Sequence, residues 1–166
     1  FTLVGHTDQV QSISFSPDNA RIYSSADDGT IRLWDLSNGQ MTNVIENEDL
    51  SPLYSVQALP QGNAFLTGDS TGRLIYWSST SLQRLAVLTG HLTEINITTT
   101  TADGSLAVSG DADGNIIVWQ INNLERLRIL EAHTNPIVGL DFSNDALALY
   151  SVDRSGLVLR WDMSAM

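Results

Sequence analysis

The chain has 166 residues, of which 42% are hydrophobic, so it is long enough for one globular domain and too apolar to remain disordered. Eight basic against nineteen acidic residues give a formal net charge of -11, which disfavours nucleic acid and anionic membranes as partners and favours cationic protein surfaces. No cysteine is present, which excludes disulfides and thiolate metal sites. The absence of a leader and of a membrane-length apolar run predicts a cytoplasmic location.

Residues 10–46 contain four short runs of β-forming residues, separated by turn-forming residues. The runs are VQSISFS, RIYSSA, TIRLWDL and MTNVIE. The turns between them are Pro17-Asp18-Asn19, Asp27-Asp28-Gly29 and Ser37-Asn38-Gly39. Proline and glycine supply the backbone dihedral angles that such tight turns need. This part of the chain therefore predicts four short strands.

The same pattern recurs along the rest of the chain. Tryptophan ends an apolar run every 42 or 43 residues, at Trp34, Trp77, Trp119 and Trp161. Five residues before each tryptophan stands a glycine: Gly29, Gly72, Gly114 and Gly156. Ten residues before it stands a hydroxyl residue: Ser24, Thr67, Ser109 or Ser151. A period near 42 with four strands is typical of a propeller blade, which gives units of about 5–46, 47–89, 90–131 and 132–166.

The motif Gly5-His6 … Trp34-Asp35 resembles the WD-repeat family, and the resemblance covers essentially the whole chain. It implies an all-β fold: one domain over 1–166, a β-propeller of four-stranded antiparallel blades with four repeats. It also implies a structural tetrad in each blade, in which an aspartate holds a histidine, the histidine reaches a hydroxyl, and the hydroxyl accepts the tryptophan N–H. Buried polar groups need such partners, because each one left unsatisfied costs about 1–3 kcal/mol.

The tetrads map onto the repeats by spacing. The first repeat supplies His6, Ser24, Asp28 and Trp34. The third supplies His91, Ser109, Asp113 and Trp119. The fourth supplies His133, Ser151 and Trp161, with Ser155 in the place expected for aspartate. The second keeps only Thr67 and Trp77, with Asp49 and Thr71 in the other two places. We therefore expect the second blade to be the least rigid.

The ends of the repeats leave the closure of the ring open. Residues 1–4 correspond to the outer strand of a preceding blade, and the fourth repeat stops after its third strand. Three arrangements fit this offset. The chain is part of a longer propeller; two copies form a homodimer by exchanging strand 1–4 with 157–162 and close an eight-bladed ring; or the chain closes alone as a four-bladed ring.

Residues able to carry chemistry are explained by the repeat. The three histidines recur once per blade, which favours a structural role over metal binding. Asp111–Asn115 begins like a calcium loop, but Ile116 and Asn122 stand where that loop needs glycine and glutamate. No phosphate-binding loop, nucleophile elbow or dinucleotide fingerprint is present. We expect no metal, no cofactor, no catalytic residue and no enzymatic activity.

The resemblance implies binding at the narrow face near the central channel. The positions lie three and five residues after the tetrad histidine and one before the tetrad aspartate: Gln9, Gln11, Asp27, Pro52, Tyr54, Ser70, Glu94, Asn96, Ala112, Pro136, Val138 and Arg154. Tyr54 and Arg154 are residue types enriched at interface hot spots. The expected function is a protein-interaction scaffold or ligand-sensing module within a larger protein or assembly. The alternative is an architectural half-propeller whose partner is a second copy.

Overall fold

The computed structural model describes residues 1–164, which form fifteen β-strands in four antiparallel sheets. The first sheet contains β1 (Val10–Phe15), β2 (Arg21–Ala26), β3 (Thr30–Asp35) and β4 (Met41–Glu46). The second contains β5 (Leu53–Ala58), β6 (Ala64–Asp69), β7 (Arg73–Ser78) and β8 (Arg84–Thr89). The third contains β9 (Ile95–Thr100), β10 (Leu106–Asp111), β11 (Asn115–Gln120) and β12 (Glu125–Glu131). The fourth contains β13 (Ile137–Phe142), β14 (Ala148–Asp153) and β15 (Val158–Asp162). The predicted all-β class is confirmed.

The apolar core consists of three layers, each lying between two successive sheets. The tryptophan-bearing face of one sheet packs on the opposite face of the sheet before it. In the first layer, the Phe65 ring lies between Tyr23 of the first sheet, at 4.7 Å between centroids, and Trp77, at 6.2 Å. Trp119 and Trp161 occupy the corresponding places in the next two layers. Because both faces of the second and third sheets are covered, their strands β6 and β10 are buried along almost their whole length.

The first and last sheets each leave one face uncovered. The innermost strands contact one another in the order β1, β5, β9 and β13, and no comparable contact joins β13 back to β1 within residues 1–164. Ile13 and Phe15 on the open face of the first sheet are 59% and 53% exposed, and Val158 on the fourth sheet is 62% exposed. A four-bladed ring closed by this chain alone is therefore not the arrangement observed.

Within residues 1–164 the fourth sheet ends at β15, without the outer strand that the other three sheets possess. Residues 1–4, expected as the closing outer strand, are exposed and form no strand. Phe1 lies instead beside the β3–β4 turn, where a Cβ on Gly39 would be 2.7 Å from the Phe1 ring. The chain's own beginning thus does not complete the fourth sheet, and exchange between two copies stays a prediction.

The turn glycine that precedes each tryptophan by five residues lies at the junction between sheets. Gly72 has a φ of +82°, and a Cβ there would lie 2.8 Å from the carbonyl oxygens of His91 and Thr93. The segment that leads into the third sheet therefore crosses directly over the turn of the second. Gly156 has a φ of +91° but has no described atom within 4 Å of the corresponding position. The space above the fourth turn is open.

Candidate functional site

A chain of three hydrogen bonds anchors the segment that leads into the first sheet. His6 Nδ1 lies 2.9 Å from Asp28 Oδ2, and His6 Nε2 lies 2.7 Å from Ser24 Oγ. Trp34 Nε1 donates to the same Ser24 oxygen at 2.8 Å. Because the Asp28 carboxylate can only accept, Nδ1 of a neutral His6 carries the proton and Nε2 accepts from the serine hydroxyl. The network ties the β2–β3 turn to the segment before β1.

In the third sheet the aspartate differs from the one that spacing predicted. His91 Nδ1 lies 2.8 Å from Asp111 Oδ2, whereas Asp113 is exposed. Asp111 ends β10 two residues after Ser109, and its other oxygen accepts the backbone N–H groups of Asp113 and Asn115. A residue at this place caps the turn and holds the histidine at once, so Asp113 is left free to face solvent. The remaining bonds, His91 to Ser109 and Trp119 to Ser109, measure 2.7 and 2.8 Å.

The fourth sheet has a complete tetrad, although the spacing assigned it no aspartate. Asp153 Oδ2 lies 3.0 Å from His133 Nδ1, and Ser151 joins His133 at 2.7 Å to Trp161 at 2.8 Å. Ser155, which stands where the aspartate was expected, donates its hydroxyl to Asp153 instead. The first sheet has Ala26 at the equivalent of Asp153, so only there does the aspartate come from the turn itself.

The second sheet replaces the histidine with an arginine. Trp77 Nε1 donates to Thr67 Oγ1 at 2.9 Å, as in the other sheets. Arg73 Nε donates to the fully buried Asp69 at 2.6 Å, and Arg73 Nη1 lies 3.1 Å from Asp49. Asp49 stands at the sequence position that the histidine has in the other repeats, and its ion pair with Arg73 joins the turn to the segment before β5. The expectation that this sheet is the least rigid stays a prediction.

Hydrogen bonding controls the charge of the tetrad aspartates. Burial raises the pKa of Asp28, but hydrogen bonds from Thr30, Thr7 and His6 outweigh burial and hold it well below its usual range. Burial also raises the pKa of Asp111, but the hydrogen bonds from His91 and Asn115 outweigh it, so this pKa is lowered as well. The Ser155 hydroxyl bond is the main cause that lowers the pKa of Asp153 to about 2. These carboxylates are therefore ionised at neutral pH and available as acceptors.

A β-bulge interrupts the innermost strand of every sheet near the start of that strand. Pairing skips one residue in each of β1, β5, β9 and β13, and the skipped residues are Gln11, Tyr54, Asn96 and Val138. A bulge at a sheet edge re-aims the extra side chain away from the regular alternation. These are the four positions expected five residues after the tetrad histidine. We call the surface they form, at the starts of the innermost strands, the rim.

The other eight predicted binding positions frame these bulges. In each sheet, the carbonyl of the residue just before the innermost strand accepts a hydrogen bond from the backbone N–H of the first residue after the second strand. The pairs are Gln9 with Asp27, Pro52 with Ser70, Glu94 with Ala112 and Pro136 with Arg154, at 2.9 to 3.1 Å. All twelve predicted residues are at least partly exposed. Five of these residues take part through this backbone hydrogen bond and do not line the rim cavity described next: Gln9, Pro52, Ser70, Ala112 and Pro136.

Six of the predicted residues line one cavity of about 360 Å³ at the rim: Gln11, Tyr54, Glu94, Asn96, Val138 and Arg154. All four sheets contribute to its walls. A larger cavity of about 490 Å³ lies at the opposite ends of the strands, but only the first two sheets line it. The bulges that build the rim were not predicted, because an inserted residue leaves no composition signal in a single sequence.

Charged groups surround Tyr54 in the rim cavity. Burial raises the pKa of the Tyr54 phenol, and the negative charges of Asp27 and Glu94 raise it further. The Gln11 amide donates to both oxygens of Asp27, at 2.8 and 2.9 Å, which fixes that carboxylate beside the cavity. Asn96 donates to the carbonyl of Ile137 across the third and fourth sheets at 3.4 Å. The cavity can thus offer an aromatic ring, amides and charges of both signs to a ligand.

The part of the chain that the structure describes contains no group of three or more histidine or carboxylate side chains suited to hold a metal ion. Its histidines are each used by a separate tetrad. Residues 1–164 also contain no helix of the length and apolarity that a membrane crossing requires.

Comparison with known proteins identifies several relatives. An uncharacterized WD repeat-containing protein of Synechocystis sp. is 44% identical over 68 residues, which are 40% of this chain and 19% of that protein. The nuclear distribution protein nudF of Emericella nidulans is 32% identical over 91 residues, 54% and 20% of the two chains. The guanine nucleotide-binding protein subunit beta of Zea mays is 32% identical over 84 residues, 47% and 22%. The chain spans about a fifth of the length of these relatives.

A family model supplies the broader match. The model described as WD domain, G-beta repeat matches residues 1–35, 82–120 and 124–162. The matched segments leave out residues 36–81, which include β5, β6 and β7 of the second sheet and the arginine that stands in place of a histidine. They nevertheless cover more than half of the sequence, in register with the tetrads of the other three sheets. The chain belongs to the WD-repeat family.

Proposed function

We propose that this chain is a non-enzymatic protein-interaction module that binds its partner at the rim. The observation that carries the proposal is the convergence of the four bulged side chains, one from each sheet, on a single cavity. Three tetrads and, in the second sheet, the Arg73 bridge hold the segments that lead to these side chains, which favours a surface that is preorganised before a partner arrives. Preorganisation reduces the ordering cost of binding.

We further propose that the four sheets belong to a larger WD propeller. The open face of the fourth sheet and the empty space above Gly156 are where a following sheet and its leading segment would pack, as the third sheet packs on Gly72. The relatives, of which this chain spans about a fifth, agree with a longer protein. The cytoplasmic location expected from the sequence stays a prediction.

Site-specific crosslinking tests the rim as the binding surface. A photoreactive phenylalanine analogue replaces Tyr54 in one variant and Leu127, an exposed residue of the outer strand β12, in a control variant. We expect one defined crosslinked product from position 54 and none from position 127. In a pull-down, a double substitution Tyr54→Ala/Arg154→Ala should abolish capture of the partner found in that product, while leaving the thermal unfolding midpoint within about 2 °C of the original, as surface changes do. Equal crosslinking from both positions would refute the rim proposal.

A second candidate is an architectural one, in which two copies close an eight-bladed ring. The observation that favours it is that both open faces expose apolar side chains and that β15 has no partner on its outer edge among the described residues. Exchange of residues 1–4 with 157–162 would then supply the missing outer strands. Light scattering decides between the candidates. A monodisperse mass of twice 18.1 kDa supports the homodimer, whereas a monodisperse mass of 18.1 kDa contradicts it.

A further inference from the structure

Acidic and basic side chains lie on different sides of the rim cavity, which restricts the kind of ligand it can bind. The inference drawn from this arrangement rests on the proposed function. We infer that the cavity takes a basic side chain of a protein partner, an arginine guanidinium or a lysine ammonium, against the Tyr54 ring between Asp27 and Glu94. Binding of another kind of side chain at the rim would leave the proposed function intact.

One wall of the cavity is acidic and aromatic. Tyr54 of the second sheet and Glu94, just before the third sheet, both line the cavity. Asp27, just after β2 of the first sheet, is held at the cavity by two hydrogen bonds from the amide of Gln11, another lining residue. The negative charges of both carboxylates raise the pKa of the Tyr54 phenol. A cation over an aromatic face gains from the ring quadrupole, and flanking carboxylates add charge-assisted hydrogen bonds.

The charged groups at the cavity are available to a ligand. Among the described residues, the Glu94 side chain forms no hydrogen bond or ion pair, and Asp27 is engaged only by the neutral Gln11 amide. A guanidinium has five N–H donors in a planar fork, and the Tyr54 hydroxyl and two carboxylates offer acceptors for several of them. The net charge of -11 would steer a basic partner towards the molecule.

The opposite wall gives the cavity a direction. Arg154 and Val138 stand on the fourth sheet, and Arg154 forms no ion pair within residues 1–164. A positive ligand would therefore sit on the side of the first three sheets, away from the Arg154 guanidinium. Removal of Arg154 should strengthen the binding of a cation, while removal of Glu94 should weaken it. Local charges at the cavity are what this pair of variants tests, because a general attraction between a cation and an acidic protein would not single out the rim residues.

Titration with three short peptides, followed by amide NMR shifts of the intact chain, tests the inference. The peptides are acetyl-Gly-Arg-Gly-amide, its citrulline analogue of the same shape without charge, and its glutamate analogue. We expect the arginine peptide to shift the amides of Gln11, Tyr54 and Asn96 in a saturable way. The citrulline and glutamate peptides should leave these amides unchanged at the same concentrations.

Three variants assign the effect to the cavity. Glu94→Gln should raise the Kd of the arginine peptide by about twofold to fivefold, the range of an exposed ion pair. Arg154→Gln should lower it, and Glu131→Gln, which removes the same charge from the exposed outer strand β12, should leave it unchanged. Equal responses to Glu94→Gln and Glu131→Gln, or indistinguishable arginine and citrulline titrations, would overturn the inference. In that case, crosslinking from position 54 would still decide the proposed function by itself.

Discussion

Arg73 Nε donates to Asp69 Oδ2 at 2.6 Å, and this pair occupies in the second sheet the place of a histidine–aspartate pair in the other three. Asp69 is fully buried and also accepts the Thr71 hydroxyl and two backbone N–H groups. Arg73 reaches on to Asp49 before β5. In each case a side chain links the turn to the leading segment, but here the donor to the aspartate comes from within the sheet.

Replacement of this arginine should weaken the fold measurably. Arg73→Ala leaves the Asp69 carboxylate buried without its charged partner, and we expect a loss of about 2–3 kcal/mol in the free energy of unfolding. The loss stays below the full cost of breaking a buried pair because the Arg73 side chain is 23% exposed. Arg84→Ala, which breaks the exposed pair with Glu48, serves as control and should cost less than about 1 kcal/mol. Urea denaturation measures both, and equal losses would show that the Arg73 bridge is no more than a surface pair.

The two aspartates of the third turn should differ in the same kind of measurement. Asp111→Ala removes an acceptor from His91 and from two backbone N–H groups, and should cost about 2 kcal/mol or more. Asp113→Ala changes an exposed side chain and should stay within about 0.5 kcal/mol of the original protein. A larger loss for Asp113→Ala than for Asp111→Ala would show that Asp113 holds the histidine, as the sequence spacing predicted.

The repeat itself could be read from the sequence, because Trp34, Trp77, Trp119 and Trp161 recur at one period beside fixed glycines. The choice between Asp111 and Asp113 could not. Asp111 is the last residue of β10 and Asp113 lies in the turn that follows, and the carboxylate at the end of the strand is the one that reaches the histidine. The Arg73 bridge was missed for a related reason, since a long side chain from β7 fills a place that the spacing assigns to the segment before β5.

The rim was located by resemblance, and the physical reason for its shape became visible only in the structure. Spacing identified Gln11, Tyr54, Asn96 and Val138 as exposed positions, yet nothing in the sequence indicated that each is the extra residue of a bulge. Register depends on pairing with another strand, so local composition does not determine it. Residues 1–4 show the same limit, because their β-forming character did not lead to pairing within the chain.

Acid should destabilise the protein through the tetrad carboxylates. The pKa of Asp153 is lowered from 3.8 to about 2, so the folded form takes up its proton less readily than the unfolded form. The stabilising contribution is therefore complete above about pH 5 and is lost as the pH falls through 4 towards 2. Asp28 and Asp111, with pKa values lowered in the same direction, add to this loss.

The Asp153→Asn variant isolates this effect in urea denaturation between pH 6 and pH 2. An asparagine cannot gain the negative charge, so the stability difference between the original protein and the variant should be largest near pH 6. It should shrink as the pH falls below about 4. A difference that stays constant over the whole range would mean that the Asp153 charge contributes nothing to the tetrad.

The turn glycines provide a test of the packing between sheets. Gly72→Ala places a methyl group against the carbonyl oxygens of His91 and Thr93 and should cost at least about 2 kcal/mol, because backbone must move. Gly156→Ala meets open space and should cost about 1 kcal/mol, the strain of a positive φ alone. Thermal unfolding of the two variants compares them directly. If both cost the same, the segment over Gly72 is not in the contact described.

The bulges have a consequence for how this protein can change. In three of the innermost strands a fully buried residue directly precedes the rim residue: Leu53, Ile95 and Ile137. Neighbouring positions of one strand are therefore under different constraints. The first position is constrained by packing, whereas the second is constrained by whatever touches the surface. We therefore expect substitutions at the rim to leave folding intact, and under the proposed function each innermost strand contributes one exchangeable residue to partner specificity.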